Sequence, residues 1–320
     1  FRRSRGLGDV YKRQSSRGIV MAEFVNSTGK TALLIGVGGI GGNVYLNELR
    51  ALGYSVTTVD NVAQADHVSI DDVKGVFDVA VICVPNYLHE YFAEQIAPYV
   101  KTVFIEKPGL PTADQWNHLC DRFPATRFIM CKNNLYRDSY GFLDNVDSID
   151  NITSIKVNWL NKNRVPNPGN WSTNRKKAWG GVALDLFPHL YTQMVRHFGE
   201  VTNFERVNFM MMQKWTLLDL LNSDYGIVNP NGVYDVCDFA TERWMLNDKV
   251  LLEVNASWKE GIDDQSITVQ TTDSSYRWDF GLCPNYAYGN MIEAGQSTPY
   301  EKHREVDEWI HKNLEVYHEG

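Results

Sequence analysis

The chain has 320 residues, 43% of them hydrophobic and 22% charged, with a formal net charge of −8. That is an ordinary globular composition, long enough for two hydrophobic cores. No apolar stretch approaches the roughly 20 residues of a membrane span, and an acidic body argues against nucleic acid, whose binding depends on clustered Lys and Arg.

The charge is unevenly spread. Residues 1–20 hold Arg2, Arg3, Arg5, Lys12, Arg13 and Arg17 against Asp9 alone, a local charge of +5 that leaves −13 for the rest. This segment lacks the apolar centre of a secretion signal, and Arg5–Gln14 resembles a translated cloning remnant; residues 1–20 are expected to be a non-native or disordered tail, which would make Met21 the natural start. The five cysteines, Cys83, Cys120, Cys131, Cys237 and Cys283, include no C-x-x-C pair. They fit the reduced thiols of a cytoplasmic protein better than a disulfide frame or a metal site, and no metal is expected. Cys83 reads as a small core residue.

Lys30–Ile35 is a continuous apolar run ending in glycine, which predicts a strand buried on both faces of a parallel sheet. The loop Gly36-Val37-Gly38-Gly39-Ile40-Gly41 follows it and opens a helix over Asn43–Leu52, which Gly53 stops. Tyr54–Asp60 and Asp78–Val84 are further strands. Tyr87–Tyr99 reads as a helix, Thr102–Ile105 as a strand delivering Glu106-Lys107-Pro108, and Thr126–Cys131 as the last strand of an alternating β-α pattern, the signature of a doubly wound parallel sheet. The texture changes near Asn133. Asn151–Leu160, Val201–Trp215, Val233–Leu246 and Val250–Trp258 read as long strands, and Gln265–Thr272 with Ser275–Phe280 as a hairpin. A helix over Asp185–His197 is expected to lie against this mostly antiparallel sheet, with a terminal helix over Asp307–Tyr317. The predicted architecture is α/β: a Rossmann domain over 21–133 and an α+β substrate-binding and oligomerisation domain over 134–320, whose terminal helix is free to pack back on the first. Asn161–Lys177 reads as one long loop, a feature that in compact domains is often functional.

The glycine loop stands where a nucleotide-binding fingerprint belongs. Gly36 permits the tight turn, Gly38 the approach of a pyrophosphate, and Gly41 close helix–strand packing, while Gly39 and Ile40 present backbone at the helix start. Asp60, closing the second strand, is placed to accept the ribose hydroxyls and repel a 2′-phosphate, which favours NAD over NADP. Pro85, Asn86 and His89 lie at the carboxyl end of a strand, where such sheets bind ligands; His89 reads equally well as a helix-start residue satisfied by backbone. Lys107, beside Glu106, is placed to stabilise a substrate oxygen, and Lys107–Pro108 is a candidate cis peptide. Asp185 and His189 stand four apart after Gly180-Gly181, so a helix would aim a carboxylate and an imidazole at one spot, His189 as proton acceptor and Asp185 orienting it. Pro188 suggests instead that the helix begins near Pro188 itself, with Asp185 in or near its cap. Trp171 and Arg175 are candidates for a polar, sugar-like substrate, a solvated basic patch being the alternative. Met210–Met212 reads as core.

Together, Gly36-x-Gly38-x-x-Gly41, Pro85-Asn86-x-x-His89, Glu106-Lys107-Pro108 and Gly180-Gly181-x-x-x-Asp185-x-x-x-His189 resemble the glucose–fructose oxidoreductase / inositol dehydrogenase / rhizopine-catabolism (Gfo/Idh/MocA) family over Thr31 to about Gly199. The resemblance implies a Rossmann domain, an open-faced sheet that often mediates homodimers or homotetramers, Lys107, Asp185 and His189 as the catalytic trio, and sugars, cyclitols or nucleotide sugars as substrates. Thr192 stands where the family often has aspartate, and Phe187 where it often has glycine, so the substrate is the least transferable part. The expected activity is hydride transfer between nicotinamide and a secondary alcohol. The rivals are a redox-neutral, NAD-dependent glycoside-processing enzyme, a non-catalytic dinucleotide sensor, and a biliverdin-reductase-like activity.

Overall fold

The computed structural model describes residues 29–138, 141–144, 146, 149–223, 229, 231–282 and 287–318. The basic tail and Cys283 lie outside the described residues. The first sheet is all-parallel, built from β1 (Thr31–Ile35), β2 (Ser55–Val59), β3 (Phe77–Ile82), β4 (Val100–Ile105) and β5 (Arg127–Met130) in the order β2-β1-β3-β4-β5. Ala32 to Ile35 are at most 1% exposed, so both faces of β1 are covered, and the run is apolar without alternation for that reason. The chain leaves β1 toward β2 on one side and β3 on the other. The carboxyl ends of β1 and β3 therefore flank the crevice where such sheets take ligands.

Helices α1 (Leu46–Ala51), α2 (His89–Ile96) and α3 (Ala113–Arg122) connect these strands. The turn before α1, Gly41–Tyr45, is a π-helix, so the helix predicted from Asn43 enters wider than expected. Gly53 ends α1 with φ +84. The Lys107–Pro108 peptide is cis.

The second sheet has six strands: β6 (Ile152–Leu160), β7 (Phe204–Met212), β8 (Phe239–Leu246), β9 (Val250–Ser257), β10 (Asp264–Thr271) and β11 (Ser275–Asp279), ordered β11-β10-β6-β9-β8-β7. Every neighbouring pair is antiparallel except β6 and β9, which run parallel. The predicted hairpin is β10–β11. Residues 233–238 stay outside β8, which starts later than its apolar composition suggested.

Among the described residues, α4 (Arg175–Ala178), α5 (Val182–Phe198) and α6 (Leu217–Leu221) lie between the strands of this half, whereas α7 (Tyr288–Ser297) packs back on the parallel sheet through Met291 and Ile292. Pro188 does not start α5 but lies inside it. Packing overrides the local penalty, because Val182, Ala183, Leu184, Leu186, Phe187 and Leu190 are all buried. Gly181 allows the entry: a Cβ there would meet the Cys237 carbonyl oxygen at 1.9 Å, and that same oxygen accepts from Val182 N at 3.0 Å. The methionine run is a correction. Met210 and Met212 are 47% and 37% exposed because β7 is the sheet's edge strand, and only Met211 packs against the core.

The last helix, α8 (Tyr300–Leu314), begins earlier than predicted and crosses onto the parallel sheet. Met130 N donates to Asp307 Oδ2 at 3.1 Å, and Leu110 N donates to His311 Nε2 at 3.0 Å. Asp307 also pairs with the buried Lys132. Accepting at Nε2 while donating from Nδ1 to Asp307 O makes His311 a neutral imidazole. Burial pushes its pKa down to about 3.

Candidate active site

A cavity of about 1050 Å³ opens between the carboxyl ends of the parallel strands and the second half of the chain. On one side lie Gly36, Gly38, Gly39, Ile40, Asp60, Pro85, Asn86, Glu106 and Lys107; facing them are Trp171, Gly180, Gly181, Asp185 and Trp258.

The glycine loop is held by close contacts. At Gly36, φ is +87 and a Cβ would sit 2.5 Å from the Cys83 carbonyl oxygen; at Gly41 it would sit 1.8 Å from the Gly36 oxygen. Gly38 and Gly39 meet nothing within 4 Å on their open side. Gly36 and Gly41 are thus required by packing, whereas Gly38 and Gly39 leave room for a ligand. The helical turn behind them has no side-chain cap, so no side chain occupies the end where an anion would sit. Loop, cavity and acidic β2 terminus together fit a dinucleotide.

Asp60 does more than close a strand. Its Oδ2 accepts from Val37 N (2.8 Å) and Gly38 N (3.3 Å), and its Oδ1 from Val62 N (2.8 Å) and Ala63 N (2.9 Å). Partial burial would raise its pKa, but the four backbone donors outweigh burial and lower it. Asp60 therefore braces the glycine loop and keeps a negative charge at the cavity wall.

Lys107 and Asp185 meet. Lys107 Nζ lies 2.5 Å from Asp185 Oδ1 and donates also to the Asp185 carbonyl oxygen at 2.9 Å, while Trp258 Nε1 donates to Asp185 Oδ2 at 2.9 Å. The pair joins the end of β4 to α5 and so spans the two halves. The Asp185 side chain lies deep within the protein yet is 40% exposed, to the cavity it lines. Burial pushes its carboxyl up, but the Lys107 ammonium and the Trp258 bond prevail and hold it below the usual range.

His189 lies one turn further along α5, its ring stacked on Trp159 at 5.0 Å, and it is not among the residues lining the cavity. Both carboxylate oxygens of Asp185 go to Lys107 and Trp258, so Asp185 orients the ammonium in place of the expected His189. Burial, followed by the Lys107 charge, pushes the His189 pKa down to about 3 and keeps the ring neutral.

Other expected residues divide. Trp171 lines the cavity. Asn86 lines it too, but its amide donates to Ala178 O at 3.0 Å and so stitches the parallel sheet's crevice to α4. Glu106 is buried, accepting from Tyr45 OH at 2.6 Å and from Lys107 N at 3.1 Å; burial raises its pKa, and it supports the site from behind. His89 is not a cofactor contact. It is fully buried, its two ring nitrogens facing Gly109 O (2.8 Å) and Val84 O (2.9 Å), and burial pushes its pKa down to about 4. Arg175 is likewise outside the wall: its N and Nε bond the Asp235 carboxylate and carbonyl. Cys83 lines the cavity, with its thiol pushed up by burial.

The sequence reading missed Trp258 and Arg164. Trp258 directly follows β9, whose pairing with β6 sets its place beside Asp185, and nothing local signals that pairing. Arg164 sits in the predicted long loop, its N–H held by Trp258 O at 2.7 Å, at the cavity's rim. Among the described residues no group of three or more His, Cys, Asp or Glu is placed to hold a metal, and no helix is long and apolar enough to cross a membrane.

A doubly wound sheet with a glycine cradle, joined to a second sheet that closes the crevice, defines a dinucleotide-binding protein. Residues 30–130 match the Gfo/Idh/MocA family model, described as "Oxidoreductase family, NAD-binding Rossmann fold". A protein of Amycolatopsis mediterranei (strain S699), described as a candidate UDP-kanosamine synthase oxidoreductase subunit, is 27% identical over 222 residues, which is 65% of this chain and 60% of that relative's length. Among solved structures, GenD2 from gentamicin A biosynthesis, in complex with NAD, superimposes with a TM-score of 0.69 at 15% identity, covering 95% of this chain and 97% of its own. A point mutant of KijD10, a 3-ketoreductase from Actinomadura kijaniata in complex with TDP-benzene and NADP, gives 0.68 at 13% identity over 92% and 98% of the two chains. These similarities show that the fold extends over both sheets.

Proposed function

We propose that the protein transfers a hydride between NAD and a secondary alcohol of a sugar, cyclitol or nucleotide sugar. The observation that carries this reading is the Lys107–Asp185 pair on the cavity wall opposite the glycine loop. The nicotinamide, when bound, supplies the hydride acceptor. Lys107 stands in the cavity wall, and an ammonium fixed there stabilises negative charge developing on a substrate oxygen. Asp185 holds that ammonium in place. His189, neutral and one turn beyond, is assigned as the acceptor of the hydroxyl proton. Trp171 lines the substrate end of the cavity, with a face suited to a sugar ring. Asp60, ionised at the loop, favours NAD over NADP by repelling a 2′-phosphate.

The relatives support the substrate class through UDP-kanosamine in one name and TDP-benzene in one complex, and they are divided on the cofactor, NAD in one structure and NADP in the other. The homo-oligomer and cytoplasmic location expected from sequence remain part of this proposal. The test is NADH absorbance against a panel of sugars, cyclitols, sugar acids and nucleotide sugars. Turnover with at least one of them is expected, and Lys107→Ala or His189→Ala should lose roughly 10²–10⁴ of it while keeping NAD affinity. Wild-type turnover in both variants ends the mechanism, and higher catalytic efficiency with NADPH ends the assignment of Asp60.

A further inference from the structure

Along one face of α5 the chain places Asp185, His189, Gln193 and His197 at successive intervals of four residues. Only the first reaches the cavity. The others run away from it through the interior, and the two beyond His189 carry buried polar atoms without partners. Gln193 is 0% exposed, and neither its amide oxygen nor its amide nitrogen meets a hydrogen-bonding group. The turn Asn133–Tyr136 packs against α5, and on it Asn134, 1% exposed, has both amide atoms unmatched. Further along, His197 Nε2 and Trp278 Nε1 are also buried without partners, on rings whose centroids lie 5.2 Å apart. Buried side chains are seldom left so, and ordered internal water is the usual answer where several such groups gather.

Beyond Asp185 the stripe has an imidazole at each end. Its inner end is His189, against Trp159. Its outer end is His197, half-buried, about 12 Å further along the helix at 1.5 Å per residue. Oxidation of an alcohol breaks the C–H bond with its electron pair going to the nicotinamide, and releases the O–H proton as the carbonyl forms. That proton must leave. An imidazole stacked on Trp159 and within the field of the Lys107 ammonium is a poor place to store it.

We propose that a file of buried water runs along this stripe from His189, past Gln193 and Asn134, to His197, and carries the released proton out to solvent. Each water accepts a proton on one side and gives up another on the other, so nothing is consumed. Gln193 acts here as a positioning residue for the water. The proposal rests on His189 as the proton acceptor.

A crystal structure of the unmodified protein that resolves ordered solvent should show water within about 2.7–3.2 Å of the Gln193 and Asn134 amides. Gln193→Leu keeps the bulk and removes the polar atoms. It should lower turnover about tenfold, less than loss of the acid/base group itself, raise the solvent deuterium isotope effect on turnover, and leave NAD affinity unchanged. His197→Phe, at the outer end, gives the same readout should Gln193→Leu not fold. Wild-type turnover in His189→Ala sinks the acceptor assignment and the relay with it. A normal loss in His189→Ala together with a dry stripe, or with an indifferent Gln193→Leu and His197→Phe, overturns the relay alone.

Discussion

The two sheets build the cavity in different ways. The parallel sheet contributes mainly backbone: a loop whose glycines leave no space for a Cβ at Gly36 and Gly41, braced by Asp60 through the Val37 and Gly38 N–H groups. The six-stranded sheet and α5 contribute side chains, Asp185 and Trp258, with Trp159 behind them. A site made of backbone depends on a few contiguous residues. A site made of side chains depends on which distant strands pair. The first half should therefore fail abruptly when one atom is added, and the second should weaken by degrees as buried partners are removed.

The sharpest test of the first half is Gly41→Val. A Cβ at 1.8 Å from the Gly36 oxygen forces the loop apart. NAD binding, measured by calorimetry, should disappear. Wild-type affinity would show that the loop has room that the packing denies. The corresponding test of the second half is Glu242→Ala. Glu242 is buried and accepts from Tyr191 OH (2.7 Å), Tyr317 OH (2.7 Å), Trp244 Nε1 (2.8 Å) and Arg206 Nη1 (3.1 Å), tying α5, β7, β8 and the segment after α8 together. Removing the acceptor of such a network costs about 3–5 kcal/mol. Urea denaturation should read it as a lower midpoint with an unchanged slope. A loss under about 1 kcal/mol, the usual net worth of a single hydrogen bond, would mean that the tyrosines find other partners.

What could be read in the sequence follows the same division. The run of parallel strands, the glycine loop and Asp60 were legible because each is announced by a short pattern with a fixed structural context. The Asp185–His189 spacing was legible as a helix face, but the partner of Asp185 was not: the ammonium of Lys107 outcompetes the imidazole, and Trp258 arrives through the β6–β9 pairing. Pro188 misled, because local helix penalties say nothing of the buried residues that hold α5 together. His89 looked like a site residue because it stands at a strand's carboxyl end. Its burial between two carbonyls is set by the turn at Gly109, twenty residues away.

Acid should separate the halves further. His189, His197 and His311 are pushed down to about 3, and His89, His303 and His318 to about 4, in each case first by burial. A neutral buried imidazole gives its full stability above the unfolded pKa of about 6.5; as pH falls from there toward 4 the unfolded chain takes up protons that the folded chain refuses, and stability is lost. For His89 alone the limit is about 3 kcal/mol. Asp307, raised by burial to about 6, opposes this, since protonation between pH 6 and 4 favours the folded state. Five of the six imidazoles lie on α5, α8 or the segment that follows α8. Denaturation midpoints should therefore fall between pH 6.5 and 4, and more shallowly in His311→Gln than in the wild type. Parallel profiles for the two proteins would remove His311 from the account.

The smallest expected effect concerns the loop that closes the cavity. Trp171 is in its wall; Arg175, four residues on, is turned to Asp235. Arg175→Ala leaves the backbone N–H bond to the Asp235 carboxylate in place and removes only the Nε contact. Stability should move by no more than about 0.5 kcal/mol, and KM for an active substrate should stay at the wild-type value, whereas Trp171→Ala should raise it. A rise in KM with Arg175→Ala, at unchanged stability, would bring its guanidinium back to the substrate, and would show that this loop rearranges on binding in a way the backbone-built half does not.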